Sequence, residues 1–432
     1  MAREGVSEPA RATFRRLYEQ LVAGDTGVLP GDELEPVRGL PLLDELDPRD
    51  PGELLDRAVV VKLNGGLGTS MGLSGPKSLV RVRDGLTFLD VIARQVVALR
   101  RRHRARLPLV LMDSFSTREQ TLAWLERYPD LPADVPLDFL QNREPKLRAA
   151  DLEPVEWPAN PALEWAPPGH GDIYPALAGS GVLDALLERG YEYAFVSNAD
   201  NLGAVLEPRI LAWLAAQRLP FLMEVVEGTA ADRKGGHIAR RDGRLVLRET
   251  AQTPEGDDSF TDFRHWRYYN ANNLWLHLPS IARLLGERGG ALGLPLIVNR
   301  KTVDPADPGT PEVLQLETAM GAALGVIEGA GALCVPRSRF VPVKTTNDLL
   351  VARSDAYVFR ADDAVLEPAA ERRGAPPPVI DLDPAFYRRL DDFEARFPAG
   401  PPSLVGAERL VVRGDVTFGA GTRVAGAAEV RA

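Results

Sequence analysis

Residues 58–77 read "AVVVKLNGGLGTSMGLSGPK". The run at 58–61 has the length and β-branched content of a buried strand. The stretch after it is more than a turn. Five glycines fall within residues 62–77, where a tight turn needs one or two. Two phosphate-loop templates fail on this stretch. The P-loop requires Gly-Lys-Ser/Thr in succession, and Pro76 separates Gly75 from Lys77. The dinucleotide fingerprint requires G-x-G-x-x-G, and after Gly66 and Gly68 the third glycine, Gly72, comes one place late. The physics common to both still applies: small residues let backbone N–H groups approach phosphate oxygens, and a lysine beyond the loop supplies charge. A purely structural loop is the alternative, and it leaves Lys77 unexplained.

Downstream, β-rich runs alternate with helical periodicity. "TFLDVIARQVVALRRRHRARL" places Leu89, Ile92, Ala93, Val96 and Val97 on one helical face, with Thr87 as N-cap. "LPLVLMDS" predicts a strand, "STREQTLAWLERYP" a helix and "VPLDFLQN" a strand. Further strands are expected at "YEYAFVSN", "FLMEVVE", "NANNLWLHL" and "RFVPVK". Such alternation implies an α/β domain with a mixed, mostly parallel sheet covered by helices. Sheets of this kind bind ligands at the carboxyl ends of strands, and the glycine stretch sits at one such end.

The 432 residues allow a sizeable core, and 45% hydrophobic with 26% charged residues is ordinary for a soluble chain. The net charge of −10 argues against nucleic acid as a partner. No apolar run is long enough to span a bilayer, and the polar N-terminus has no signal-peptide core. With one cysteine, Cys334, no internal disulfide is possible, so a cytoplasmic protein with no membrane partner is expected.

Residues 1–50 read as a helical lead-in that runs into the Pro/Asp-rich "LDELDPRDPGELL", and 51–360 as the main α/β domain. Residues 361–400 read as a linker and helix. In the tail, 401–432, Val412, Phe418, Val424 and Val430 recur every six residues, with Leu410, Val416, Thr422 and Ala428 on a second track. That period suggests a truncated left-handed β-helix, and two hairpins are the alternative. So short a module predicts a monomer or small homo-oligomer.

The glycine stretch resembles the nucleotide-binding signature of eukaryotic-type UTP–glucose-1-phosphate uridylyltransferases. "PPGHGDIY" (167–174), "FVSNADNLGA" (195–204), "NANNLW" (270–275), "QLETAMGAAL" (315–324) and "PRSRFVPVKTTNDLL" (336–350) are each similar to blocks of that family, in the family's order. The resemblance implies a Rossmann-like nucleotide-diphospho-sugar transferase domain. It also implies transfer of a uridylyl group from UTP to a sugar 1-phosphate, with Mg²⁺ as cofactor.

The resemblance also implies a role for each residue. Leu63, Asn64, Gly65 and Gly66 face the nucleotide, and Lys77 reaches the triphosphate or leaving pyrophosphate. Gln141 reads uracil, since an amide can donate to one edge atom and accept from the ring N–H; a turn-capping glutamine is the plain alternative. Gly169 lines the base pocket, and His170 donates to a phosphate. Asp172 reads as a helix-start cap. Asn198 and Asp200 come directly after a strand, with Asp200 as the Mg²⁺ ligand; an Asx turn is the competing reading. Asn272 and Glu249 contact the sugar or its phosphate, and Lys344, at a strand end, aims at the transferring α-phosphate. Other sugar 1-phosphates (galactose or an N-acetylhexosamine) and a non-catalytic nucleotide-sugar sensor stay open at this point.

Overall fold

The computed structural model describes residues 1–47 and 51–432. The centre of "LDELDPRDPGELL" lies outside the described residues. Beyond it, a 3₁₀ segment at Gly52–Arg57 leads into the strand Ala58–Asn64.

That strand is the middle of the molecule. Val59, Val60 and Val61 are at most 2% exposed, because a strand covered on both faces carries an unbroken apolar run. Side chains alternate in direction along it. Val60 joins Phe88, Leu89 and Ile92 of the helix Phe88–His103, while Val59 and Val61 join Ile173, Leu177 and Leu183 of the helices Ile173–Gly179 and Val182–Glu188. Sheet and helices thus form three layers. The first helix starts as its sequence dictates. Thr87 Oγ1 accepts from the Asp90 N–H at 3.1 Å, and the Asp90 carboxylate accepts from the Thr87 N–H at 2.8 Å. This reciprocal cap satisfies two otherwise unpaired donors.

Across the sheet the strands run Asp138–Leu140, Leu109–Asp113, Ala58–Asn64, Tyr193–Asn198, Tyr268–His277, Phe221–Glu227 and Gly331–Cys334. Of these seven, all are parallel except Tyr268–His277, which is antiparallel to both neighbours; the flanking strands Glu35–Pro36, His237–Arg241 and Arg244–Arg248 join the sheet by antiparallel pairs. The mixed, mostly parallel sheet is therefore as expected.

Two local expectations need correction. "RFVPVK" is not a strand: Arg337–Arg339 forms a 3₁₀ turn, and Pro342 makes only an isolated bridge to Asn201. Pro336 and Pro342 have no N–H to give a ladder, and the buried Arg339 is drawn into a two-pronged pair with Glu224 at 2.6 and 2.8 Å. The sheet takes Gly331–Cys334 instead. Lys344 accordingly does not end a strand; it precedes the helix Thr346–Arg353, and its backbone N–H donates to Asp348 Oδ2 at 2.9 Å.

The N-terminal helix Glu8–Val22 buries Leu17 against Leu147, Leu314 and Leu316. In the tail, Val379–Leu382, Ser403–Arg413 and Arg423–Arg431 form a three-stranded parallel sheet. Leu410 lies beside Ala428 and Val412 beside Val430, so partners are three six-residue periods apart. Parallel pairing excludes the two hairpins. Leu410, Val412, Phe418 and Val424 belong to the same apolar cluster as Val60, so the tail leans on the main domain. Among the described residues no helix is long and apolar enough to cross a membrane.

Candidate active site

The chain leaves Ala58–Asn64 toward Leu109–Asp113 on one side and later returns to Tyr193–Asn198 on the other. The connections therefore part at the carboxyl ends of the two central strands, which leaves a crevice. A cleft of about 320 Å³ opens there. Its walls bring together Leu63, Asn64, Gly65, Gly66, Lys77, Gln141, Gly169, His170, Asn198 and Asp200. Lys344, Asn272 and Glu249 are not among its lining residues.

Part of the cleft wall is built for close approach. A Cβ at Gly65 would overlap the Gln141 carboxamide, and nothing stands within 4 Å of the Cβ position at Gly66, which faces open space. Gly169 has φ +78°, and a Cβ there would come 2.7 Å from the Thr318 carbonyl oxygen; glycine adopts that conformation without strain. Asn64 turns its amide away from the cleft, donating to Asp113 Oδ1 at 2.6 Å and Thr121 Oγ1 at 2.9 Å. Its side chain anchors the strand end.

The cleft is also lined by a pair of charges, Lys77 and Asp200. The glycine loop doubles back on itself: Leu67 bridges Pro76, and the Lys77 N–H donates to the Gly66 carbonyl at 3.1 Å. That return places Lys77 Nζ 2.6 Å from Asp200 Oδ2, with the two side chains 15% and 20% exposed. The second oxygen, Asp200 Oδ1, is buried without a hydrogen-bond partner. Asp200 is held through its carbonyl, which accepts from the Val343 N–H at 3.0 Å. Asn201 is the turn residue, its Oδ1 accepting from the Gly203 N–H at 3.2 Å and the Val341 N–H at 2.9 Å. Among the described residues no group of three or more His, Cys, Asp or Glu is placed to cage a metal. One carboxylate with a free oxygen suits Mg²⁺, which keeps several waters and binds through one or two protein carboxylates plus substrate phosphates.

His170 carries its own assignment. Nδ1 accepts from the Met320 N–H at 2.9 Å, so the neutral ring holds its proton on Nε2. Burial, and then the Lys344 charge, push its pKa down to about 4. Asp172 does not cap the helix it begins: no helix N–H donates to its side chain. Its carboxylate instead accepts from the backbone N–H and the side-chain Nδ2 of Asn142.

The other three residues form a separate flank. Asn272 sits at φ +53°, where the pairing with Phe221–Glu227 shifts between Glu224 and Val225. Asparagine tolerates the left-handed region, and the bulge re-aims the side chain. The Asn272 N–H donates to Asn270 Oδ1 at 2.8 Å. The Asn270 N–H in turn donates to the Gly236 carbonyl at 2.9 Å, and Gly236 lies against the Glu249 carboxylate, leaving no room for a Cβ. Burial pushes the Glu249 carboxyl up to about 7, opposed by Lys344. Lys344 is exposed, and its charge acts on both His170 and Glu249.

Sequence reasoning passed over Lys62. It is 2% exposed and donates to Ser197 Oγ at 2.8 Å and the Ala204 carbonyl at 2.7 Å, tying the two central strands beneath the Asp200 turn. Burial, with the nearby Arg339 second, lowers its pKa to about 7. The available signal was a lone lysine inside the run "VVVKLN".

A glycine-floored cleft at a switch in strand order, lined by a lysine and by a carboxylate with one unpaired oxygen, suits an α/β enzyme that handles the phosphates of a nucleotide. Residues 12–424 match the family described as UTP–glucose-1-phosphate uridylyltransferase. The chain is 42% identical over 410 residues to the UTP–glucose-1-phosphate uridylyltransferase of Solanum tuberosum, covering 94% of this chain and 82% of that protein. A Leishmania major UDP-glucose pyrophosphorylase mutant in complex with UDP-glucose superposes with a TM-score of 0.94 at 46% identity, over 99% of this chain and 92% of that one. A Trypanosoma brucei UDP-glucose phosphorylase gives 0.93 at 44% identity, over 100% and 93%. The chain belongs to the UTP–glucose-1-phosphate uridylyltransferase family.

Proposed function

We propose that the protein transfers the uridylyl group of UTP to glucose 1-phosphate, forming UDP-glucose and pyrophosphate. One observation carries this reading: a single cleft is lined both by Gln141, whose amide lies against Gly65, and by the Lys77–Asp200 pair. A base reader and a polyphosphate holder thus share one space.

In the reaction a phosphate oxygen of glucose 1-phosphate bonds to the α-phosphorus of UTP. The bond from that phosphorus to the α–β bridging oxygen breaks, and its electron pair leaves on pyrophosphate. No protein nucleophile is required, so the chain's task is positioning and charge neutralisation. Gln141 and the Gly169 backbone hold uracil, and the open face at Gly66 admits the ribose and phosphates, beside Leu63 and Asn198. His170 donates its Nε2–H to a phosphate. Asp200 would hold Mg²⁺ through Oδ1, and the bound ion would neutralise triphosphate charge. Lys77, freed from Asp200, would take the β- and γ-phosphates. Lys344 approaches the α-phosphate, while Asn272 and Glu249 receive the sugar.

A buried free thiol at Cys334 supports a reducing, cytoplasmic setting. Inward packing of the tail residues supports a monomer or small oligomer. The test of the function is direct. Purified protein with UTP and Mg²⁺ should release pyrophosphate with glucose 1-phosphate in preference to galactose or N-acetylhexosamine 1-phosphates. No release with any of them overturns the reading.

A further inference from the structure

The turn His170–Asp172 faces two ways. Gly169 and His170 line the cleft, while the Asp172 carboxylate points behind it. Asp172 is 2% exposed, and it accepts from the Asn142 N–H at 2.6 Å and from Asn142 Nδ2 at 2.8 Å. Asn142 is the residue next to Gln141 in the chain. On the other side, the Gln141 N–H donates to the Asp113 carbonyl at 2.8 Å. The backbone is therefore tied on both sides of the Gln141 side chain, to a sheet strand and to Asp172. Gly65 lies close enough to confine the amide itself. Burying a carboxylate is costly, and burial pushes this one up to about 7 although both Asn142 donors oppose the rise. The helix beginning at Ile173 draws no side-chain bond from it. Both bonds go to the residue beside the base reader.

We infer that Asp172 is the positioning residue for nucleobase choice: by holding Asn142 it fixes the backbone beside Gln141, keeps the Gln141 amide beside Gly65, and thereby sets the preference for uracil over cytosine. This rests on the role of Gln141 in the proposed function. Uracil presents a donor at N3 and cytosine an acceptor, so an amide separates them only while its two ends keep register with the base edge. An untethered amide can rotate and accept either base.

The test is uridylyl or cytidylyl transfer to glucose 1-phosphate by the full chain and its variants, with kcat and KM measured for UTP and CTP. For Asp172→Ala the UTP-to-CTP ratio of kcat/KM should fall on the order of tenfold or more, with most of the change in KM. Its kcat at saturating UTP should stay within about threefold. Asp172→Asn should keep most of the ratio, because its carbonyl can accept the Asn142 N–H and its amide can donate to a rotated Asn142 side chain. Asn142→Ala removes one of the two bonds without touching the helix start, and should lower the ratio even if Asp172→Ala does not fold. An unchanged ratio in Asn142→Ala, or equal losses on both nucleotides in a folded Asp172→Ala, overturns the inference. Gln141→Ala separates the two claims. If it loses the preference while the Asp172 and Asn142 variants keep it, this inference alone fails. If the unmodified protein uses both nucleotides equally, or Gln141→Ala keeps the preference, the reading of Gln141 falls too.

Discussion

Lys77 Nζ lies 2.6 Å from Asp200 Oδ2, across a sequence separation of 123 residues. Each charge is neutralised by the other while the second carboxylate oxygen has no partner. Entry of a metal-bound triphosphate would exchange one pairing for two, carboxylate to cation and lysine to phosphate. Asp200→Ala should therefore lose on the order of 10²–10³ in kcat and cease to respond to Mg²⁺. Calorimetric titration with metal-free UTP should still show binding, since Lys77 stays in place. Full Mg²⁺-dependent activity in that variant would reduce Asp200 to a turn former.

Gly65 and Gly169 predict opposite failures for the same substitution. At Gly65 a Cβ meets the Gln141 carboxamide, a side chain and not backbone, so the substitution displaces the base reader without straining the fold. Gly65→Ala should keep its melting temperature within a few degrees and raise KM for UTP. At Gly169 the obstacle is the Thr318 backbone, and φ is +78°. Gly169→Ala should lose stability by about 1–2 kcal/mol or more. Denaturant unfolding of both variants, beside UTP kinetics, checks the contrast.

His170 should not titrate in the working range. Its pKa is pushed from 6.5 down to about 4 by burial and by Lys344, so the activity profile should show no limb from this ring between pH 5 and 8. The same shift makes stability depend on pH. The unfolded imidazole takes its proton first as pH falls, so the contribution is complete above about 6.5 and is lost on descent through about 4. A ring-proton NMR titration giving a pKa near 6.5 for His170 would contradict the desolvation of this half-buried ring and the Met320 bond.

Lys77 and Lys344 should separate kinetically. A cation aimed at charge gathering on the α-phosphorus counts more in the transition state than in the ground state. Lys344→Ala should depress kcat by about 10²–10³-fold with little change in KM for UTP. Lys77→Ala should show more of its loss in UTP binding. If Lys344→Ala alters only KM, it is a binding residue.

Fold and site were legible in the sequence where one physical constraint dominates. The buried strand Ala58–Asn64, the Thr87 cap and the glycine loop each arise from local composition. The cleft residues on strand ends are glycine, asparagine and aspartate, ordinary turn types, so they were found through the family blocks they sit in and not through their types. What escaped depends on contacts distant in the chain. Arg339 reads as a strand residue until its pairing with Glu224, 115 residues away, is seen. Asp172 reads as a cap because nothing local shows that Asn142 takes both its bonds. Asn272 looks like part of an ordinary strand, and only the opposing register shift reveals its left-handed backbone.

Under the proposed function the cleft positions two substrates for direct transfer and forms no covalent uridylyl-enzyme. His170 is the nucleophilic ring at hand, but its Nδ1 lone pair is occupied by the Met320 N–H and its Nε2 carries the proton. The most direct measurement is the stereochemical course with UTP made chiral at the α-phosphorus by a single sulfur. One in-line displacement inverts that centre, and inversion in the UDP-glucose product is the predicted result. Retention would require two displacements through an enzyme-bound uridylyl group, and would contradict direct transfer.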